Sequence, residues 1–187
     1  MLQAPFKVVL DANVLYPFTL RDTLLRAAEE SIYQVYWSAE ILDETKRNLI
    51  ENKQMTEQQA TRMLKAMVSM FPEALVTEYE PYIDAMKNHK KDRHVAAAAL
   101  KAGAQVIVTR NLKDFRSLPD GIEAQGPDEF LGNLFDLDPD RFVDLLHEQS
   151  ADLKKPIVSF DQLLTRLAKI APDLATSVRS HIAASSN

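Results

Sequence analysis

Phe6-Lys7-Val8-Val9-Leu10-Asp11 is a short, mostly apolar, β-rich run that stops at a carboxylate. A run of this kind, without polar alternation, reads as a buried strand. Outward from it, residues 22–31 carry an apolar helical face through Leu24, Leu25, Ala27 and Ala28, and Gln34-Val35-Tyr36-Trp37 is a second strand. Strand, helix, strand is the βαβ pattern. Ser38 is placed to cap a helix reaching about Asn52, and Thr56 with Gln59 forms a capping box for another that ends near Phe71, before Pro72. Leu75-Val76-Thr77 is a short third strand and residues 81–86 a short helix, while Asp92 opens a helix whose alanine run ends at Gly103. Gln105-Val106-Ile107-Val108-Thr109 is the strongest strand, and Ile122-Glu123-Ala124 follows the turn Pro119-Asp120-Gly121 as a fifth. The alternation predicts an α/β fold over residues 1–135, with a central parallel β-sheet flanked by α-helices. Beyond it, Asp138-Pro139, Ser159 with Gln162, and Pro172 open three short helices, so residues 136–187 are expected as a C-terminal all-helical extension. Leu145, Leu146, Leu163, Leu164, Leu167 and Ile170 give these helices apolar faces that must be buried, on the main domain or against a partner.

At 187 residues, 46% hydrophobic and 26% charged, the chain suits one core with an appendage and excludes disordered or fibrous classes. No window approaches the roughly 18 apolar residues of a membrane helix, and the first eleven residues lack a signal-type apolar stretch, so a cytoplasmic protein is expected. The absence of cysteine removes disulfides and thiolate chemistry, so a metal must bind through oxygen or imidazole. A net charge of −5 argues against binding nucleic acid by bulk electrostatics. It still admits a nuclease whose carboxylates surround a divalent cation.

In open parallel sheets, ligands bind beyond the carboxyl ends of the strands, where strand order reverses. Asp11 and Asn13 follow the first strand; Thr109, Asn111 and Asp114 follow the strongest one; Asp92 opens the helix leading into it; Glu44 lies on the helix after Trp37. Taken singly, Asp11 reads as a turn or cap, Asp92 as a helix cap, Glu44 as a solvated acid and Asp114 as a turn residue. Taken together, four converging carboxylates repel unless a cation neutralises them, and an oxygen-rich set suits Mg2+, with Mn2+ as substitute. Such an ion promotes phosphodiester hydrolysis by activating water.

These stretches also resemble a family. Val8-Val9-Leu10-Asp11-Ala12-Asn13-Val14-Leu15, residues 38–44, Lys91-Asp92-Arg93-His94-Val95-Ala96-Ala97-Ala98 and Val108-Thr109-Arg110-Asn111-Leu112-Lys113-Asp114-Phe115 are similar, in order and spacing, to the successive motifs of PIN-domain nucleases. The resemblance spans about residues 5–130 and is nearest to the VapC-like toxin ribonucleases of VapBC toxin–antitoxin pairs. It implies a PIN-like sheet and a Mg2+-dependent endoribonuclease, with Asp11, Glu44, Asp92 and Asp114 as catalytic, metal-binding carboxylates supported by Asn13, Thr109 and Asn111. It also implies an RNA substrate, an antitoxin that blocks the site, and a homodimer. Two departures stand out. Asn88-His89-Lys90-Lys91 replaces a segment often acidic in relatives, which would weaken a second metal site or favour RNA phosphates. Asn111 stands where many relatives have Asp, leaving Asp114 to supply the charge.

Arg93, Arg110 and Lys113 are the candidate phosphate contacts near the predicted rim, within a basic group that includes Lys90, Lys91 and Arg116. His94, two residues after Asp92, could contact substrate or act as an acid, but a lone helical histidine reads first as a satisfied surface group; Tyr16, Phe18 and Trp37 read as core rings rather than base-stacking platforms. Two rival readings remain. One is a PIN scaffold retained for RNA or protein binding without catalysis. The other, a haloacid-dehalogenase-like phosphatase, is disfavoured because Asn13 stands where that chemistry expects a second Asp.

Overall fold

The computed structural model describes residues 6–185. In chain order the elements are β1 (Lys7–Leu10), α1 (Ala12–Leu15), α2 (Phe18–Glu29), β2 (Gln34–Ser38), α3 (Ala39–Glu51), α4 (Glu57–Met70), β3 (Leu75–Val76), α5 (Arg93–Ala102), β4 (Val106–Val108), β5 (Glu123–Gln125), α6 (Pro127–Leu137), α7 (Pro139–Asp152), α8 (Phe160–Leu167) and α9 (Pro172–Ser185). Single 3-10 segments lie at Glu80–Ala85, Lys90–Asp92 and Leu112–Phe115. All five strands form one parallel sheet in the order β3-β2-β1-β4-β5. The order reverses between β1 and β4, where Val9 pairs with Ile107 and Leu10 with Val108. No described helix is long and apolar enough to cross a membrane.

The chain divides into two compact units. Of the described residues, the first comprises 6–16 and 33–125 and holds the sheet. Its core is built on β1 and β4, with Val8, Val9, Leu10, Ile107 and Val108 fully buried, and on α5, whose Ala96–Ala99 run is equally buried. Four consecutive methyl side chains let this helix lie close against β1, β2 and β4 without a bulky knob holding it off. Gly103 ends α5 in the left-handed conformation (φ 65°), as expected of a glycine just past a helix. Ser38 caps α3, and the Thr56–Gln59 capping box forms at the start of α4.

The second unit is helical and comprises residues 17–32 and 126–187, so α2 joins α6 to α9. The leucines whose burial had two possible explanations at the sequence level are covered by helices of this unit, with Leu146, Leu163 and Leu167 fully buried. Phe142 is also fully buried and meets Phe135 edge to face at 6.1 Å. Helix α2 starts earlier than the 22–31 expectation, because Pro17 stands extended at its N-cap and Asp22 pairs with Arg26 one turn on instead of opening the helix. The 81–86 segment is a 3-10 turn rather than an α-helix, and β3 is two residues long.

Candidate active site

β1 and β4 end side by side at the point where strand order reverses. Asp11 leaves β1 with its backbone N–H donating to the Val108 carbonyl (3.1 Å), which holds it against the end of β4. Although Asp11 precedes α1, its side chain makes no cap bond. It turns instead to Asn13 Nδ2 (2.6 Å) and Thr109 Oγ1 (2.7 Å), both of which donate to Oδ2. Thr109, fully buried, also accepts from Asn13 Nδ2 (2.9 Å) and from the Asn111 N–H (3.1 Å). Asn13 Oδ1 accepts the Arg110 N–H (2.9 Å), so both ends of its amide are engaged. The three supporting residues expected from sequence thus belong to one network, because alternate residues after the strands bring their short polar side chains to the same rim.

Burial pushes the Asp11 carboxyl up to about 6, and the charges of Glu44 and Asp92 push the same way against the Thr109 bond, which lowers it. Asp11 is therefore a buried carboxylate on which the charges of two other acids, Glu44 and Asp92, act. Glu44, on α3, has Oε2 3.9 Å from Nε2 of His94.

Asp92 and Asp114 meet on the other side of the rim. Asp92 stands at the N-cap of α5 yet makes no side-chain cap bond, and its Oδ2 lies 3.4 Å from Nδ1 of His89. Burial, and then the charge of Asp114, raise its pKa, while His89 lowers it. Asp114 is positioned by the 3-10 turn Leu112–Phe115 and accepts from the Asn111 side-chain amide. Its carbonyl accepts the His89 N–H (2.9 Å), and the His89 carbonyl accepts the Asp92 N–H (2.9 Å), so His89 is clamped between the two acids. His89, Asp92 and Asp114 each present one ligand atom within 4.8 Å of the others. Asp11 and Glu44 lie near but outside this tight group. Oxygen donors with one imidazole fit a hard to borderline divalent cation such as Mg2+ or Mn2+.

His89 went unnoticed as a site residue in the sequence; the signal available was its place three residues before Asp92, in the segment that departs from the family pattern. His94 is not a satisfied surface group. It is buried, its Nδ1 lies 3.7 Å from Glu40 without a hydrogen bond, and its Nε2 faces Glu44. Of the basic candidates, Arg93 donates from Nε to the Asn88 carbonyl (3.2 Å), bracing the loop before Asp92, whereas Arg110 and Lys113 are exposed. Trp37 is core, as expected; Phe18 is half exposed, and Tyr16 lines a recess next to Asn13.

Residues 7–113 match the family model described as PIN domain, and residues 127–180 match one described as the VapC50 C-terminal domain. A stretch of 62 residues is 52% identical to VapC50 of Mycobacterium tuberculosis, whose name assigns it provisionally as a ribonuclease. That match covers 32% of this chain and 37% of the relative, so the chain spans little more than a third of the relative's length. The crystal structure of VapBC2 from Rickettsia felis, bound to a DNA fragment from their promoter, matches with a TM-score of 0.48 and 17% identity, covering 65% of this chain and 98% of that chain.

Proposed function

The chain belongs to the PIN-domain family, and from that premise we propose that it is a metal-dependent endoribonuclease, the toxin of a toxin–antitoxin pair. The observation that carries this reading is the buried Asp11 carboxyl, held by Thr109 and Asn13 at the sheet's switch point and facing further acids. A buried carboxylate pushed up to about 6 by desolvation and like charge is costly in isolation and useful beside a cation.

Asp11, Glu44, Asp92 and Asp114, joined by His89, would hold Mg2+ or Mn2+. When bound, such an ion neutralises the acids, polarises a phosphoryl oxygen and lowers the pKa of water. Thr109 and Asn13 fix the Asp11 oxygen through two hydrogen bonds, and Asn111 orients Asp114. Arg110 and Lys113 contact substrate phosphates from the exposed rim. In the overall reaction water adds to phosphorus, the bond to the 3′-oxygen breaks, and a proton passes to that oxygen, leaving 5′-phosphate and 3′-hydroxyl ends. A cognate antitoxin and a homodimer complete the proposal, as the resemblance of the sequence motifs to VapC-like toxins implies.

The test is incubation of the purified chain with transfer and ribosomal RNA in Mg2+, Mn2+ or chelator, with mapping of fragment ends. Cleavage that needs the cation and disappears in Asp11→Asn is expected. Undiminished cation-dependent cleavage by that variant would overturn the assignment. Specific Mn2+ uptake by calorimetry without any cleavage would favour the binding-module reading.

A further inference from the structure

Next to the acids, and sharing Asn13 with them, lies a recess of about 190 Å3 lined by Asn13, Tyr16, Asn48, Asn52 and Arg110. We propose that this recess receives a purine base of the RNA beside the phosphate being cut, and so selects where cleavage occurs. The inference rests on the ribonuclease reading above.

Size is the first argument. Pockets that enclose a drug-sized molecule run to about 300–1,000 Å3. A recess below that range suits one flat heterocycle and leaves the sugar and phosphate outside. The lining is the second. It offers a phenol ring, primary amides and a guanidinium, with no carboxylate, in contrast to the acids a few side chains away. An aromatic face with amide donors and acceptors around it is how proteins hold an unstacked base.

Placement follows from α3. Glu44, Asn48 and Asn52 recur every four residues, so they form one stripe along the helix and its C-cap. Asn48 lies about 6 Å along the axis from Glu44, a displacement on the scale of one nucleotide. A strand with its phosphate at the acids can therefore set the neighbouring base over Asn48.

Hydrogen-bonding capacity separates the lining residues by role. Asn13 is fully committed to Asp11, Thr109 and the Arg110 N–H, which makes it a fixed wall. Asn52 Nδ2 donates to the Asn48 carbonyl (2.9 Å), which orients its amide. Among the described residues, neither the Asn48 side-chain amide nor the Arg110 guanidinium is hydrogen-bonded or ion-paired. An asparagine amide matches the adjacent N6 donor and N7 acceptor of adenine, and a guanidinium the O6 and N7 of guanine, so the uncommitted groups favour a purine. The half-buried Tyr16 supplies the ring face.

Two measurements on the full chain test this. Single-stranded RNA with randomised positions is cleaved in Mn2+ and the fragment ends are sequenced. Purines should be enriched at one position flanking the cut, and Asn48→Ala should reduce that enrichment about tenfold, the effect of one lost bidentate contact. Arg110→Ala should lower the guanine share of that enrichment and slow cleavage at every sequence. In parallel, AMP, GMP, CMP and UMP are titrated into 15N-labelled protein. The Asn48 side-chain amide signals should move with the purine nucleotides and not with the pyrimidine ones.

Cleavage with an unchanged base profile in Asn48→Ala, or with pyrimidines at the flanking position, overturns the proposal and leaves the ribonuclease reading intact. A purine-specific shift of the Asn48 amide without cleavage of any RNA overturns the ribonuclease reading and retains the recess as a nucleotide site. No movement of those amides with any of the four nucleotides likewise overturns the base-binding proposal.

Discussion

The rim of the sheet and the helical unit handle charge in opposite ways. At the rim, Asp11 and Asp92 sit among like charges, and burial raises both carboxyls. In the helical unit, charges are matched: Arg26 reaches Asp22 and Asp152, Arg141 reaches Glu30, and both oxygens of Asp128 accept N–H groups at the start of α9. Its helix starts are closed by Asp138 and by the Ser159–Gln162 capping box. One region is stabilised by paired charges, and the other keeps buried carboxyls among like charges, the arrangement on which the proposed cation site rests.

The sharpest way to break this contrast is Asp11→Asn. Cleavage should fall by about 10^3 or more, the scale of removing a preorganised group that acts on developing charge. In the metal-free protein the same change should raise stability at neutral pH. The sign follows from the carboxyl's ordinary value of 3.8 and its folded value of about 6. Between these, the folded state binds more protons than the unfolded state, so stability falls as pH rises through the window. Above it the ionised group costs roughly 3 kcal/mol at about 1.4 kcal/mol per pKa unit. Denaturant melts at pH 7.5 and pH 3.5 should show the gain at the first and none at the second. Equal stability of the two proteins at both pH values would remove the electrostatic basis of the contrast.

Phe142→Ala probes the other side. The ring is fully buried against Phe135, and its loss should cost about 3–5 kcal/mol of unfolding free energy by chemical denaturation. A cost below 1 kcal/mol would mean that the helical unit is not held by its rings.

Smaller effects sharpen the comparison. His89→Ala should weaken Mn2+ binding about tenfold by calorimetry and weaken Mg2+ binding less, because imidazole suits the later ion better. Unchanged affinity for both ions would place His89 outside the coordination shell. Ser159→Ala should cost about 1 kcal/mol of stability through loss of the cap on α8, with cation affinity unchanged.

Much of this was legible in the sequence where the signal is local. The apolar runs of β1 and β4, the Thr56 and Ser159 boxes and the left-handed Gly103 stop all depend on residues within a few positions of one another. Asp11, Asn13 and Thr109 could be placed because strand ends are identifiable and a switch point lies beyond them. His89 could not, since its carbonyl and N–H join Asp92 and Asp114 through a 3-10 turn that no periodicity announces. Tyr16 was hidden for a related reason. An aromatic after a strand has the same sequence appearance in a core as in a recess, and the choice depends on α3, which lies far along the chain.

The bond from Thr109 to Asp11 joins residues 98 positions apart. During synthesis the first of these emerges long before the second, so Asp11 gains its Thr109 partner only after β4 has been made. A truncated chain ending before β4 therefore lacks Thr109 and with it one wall of the acid site.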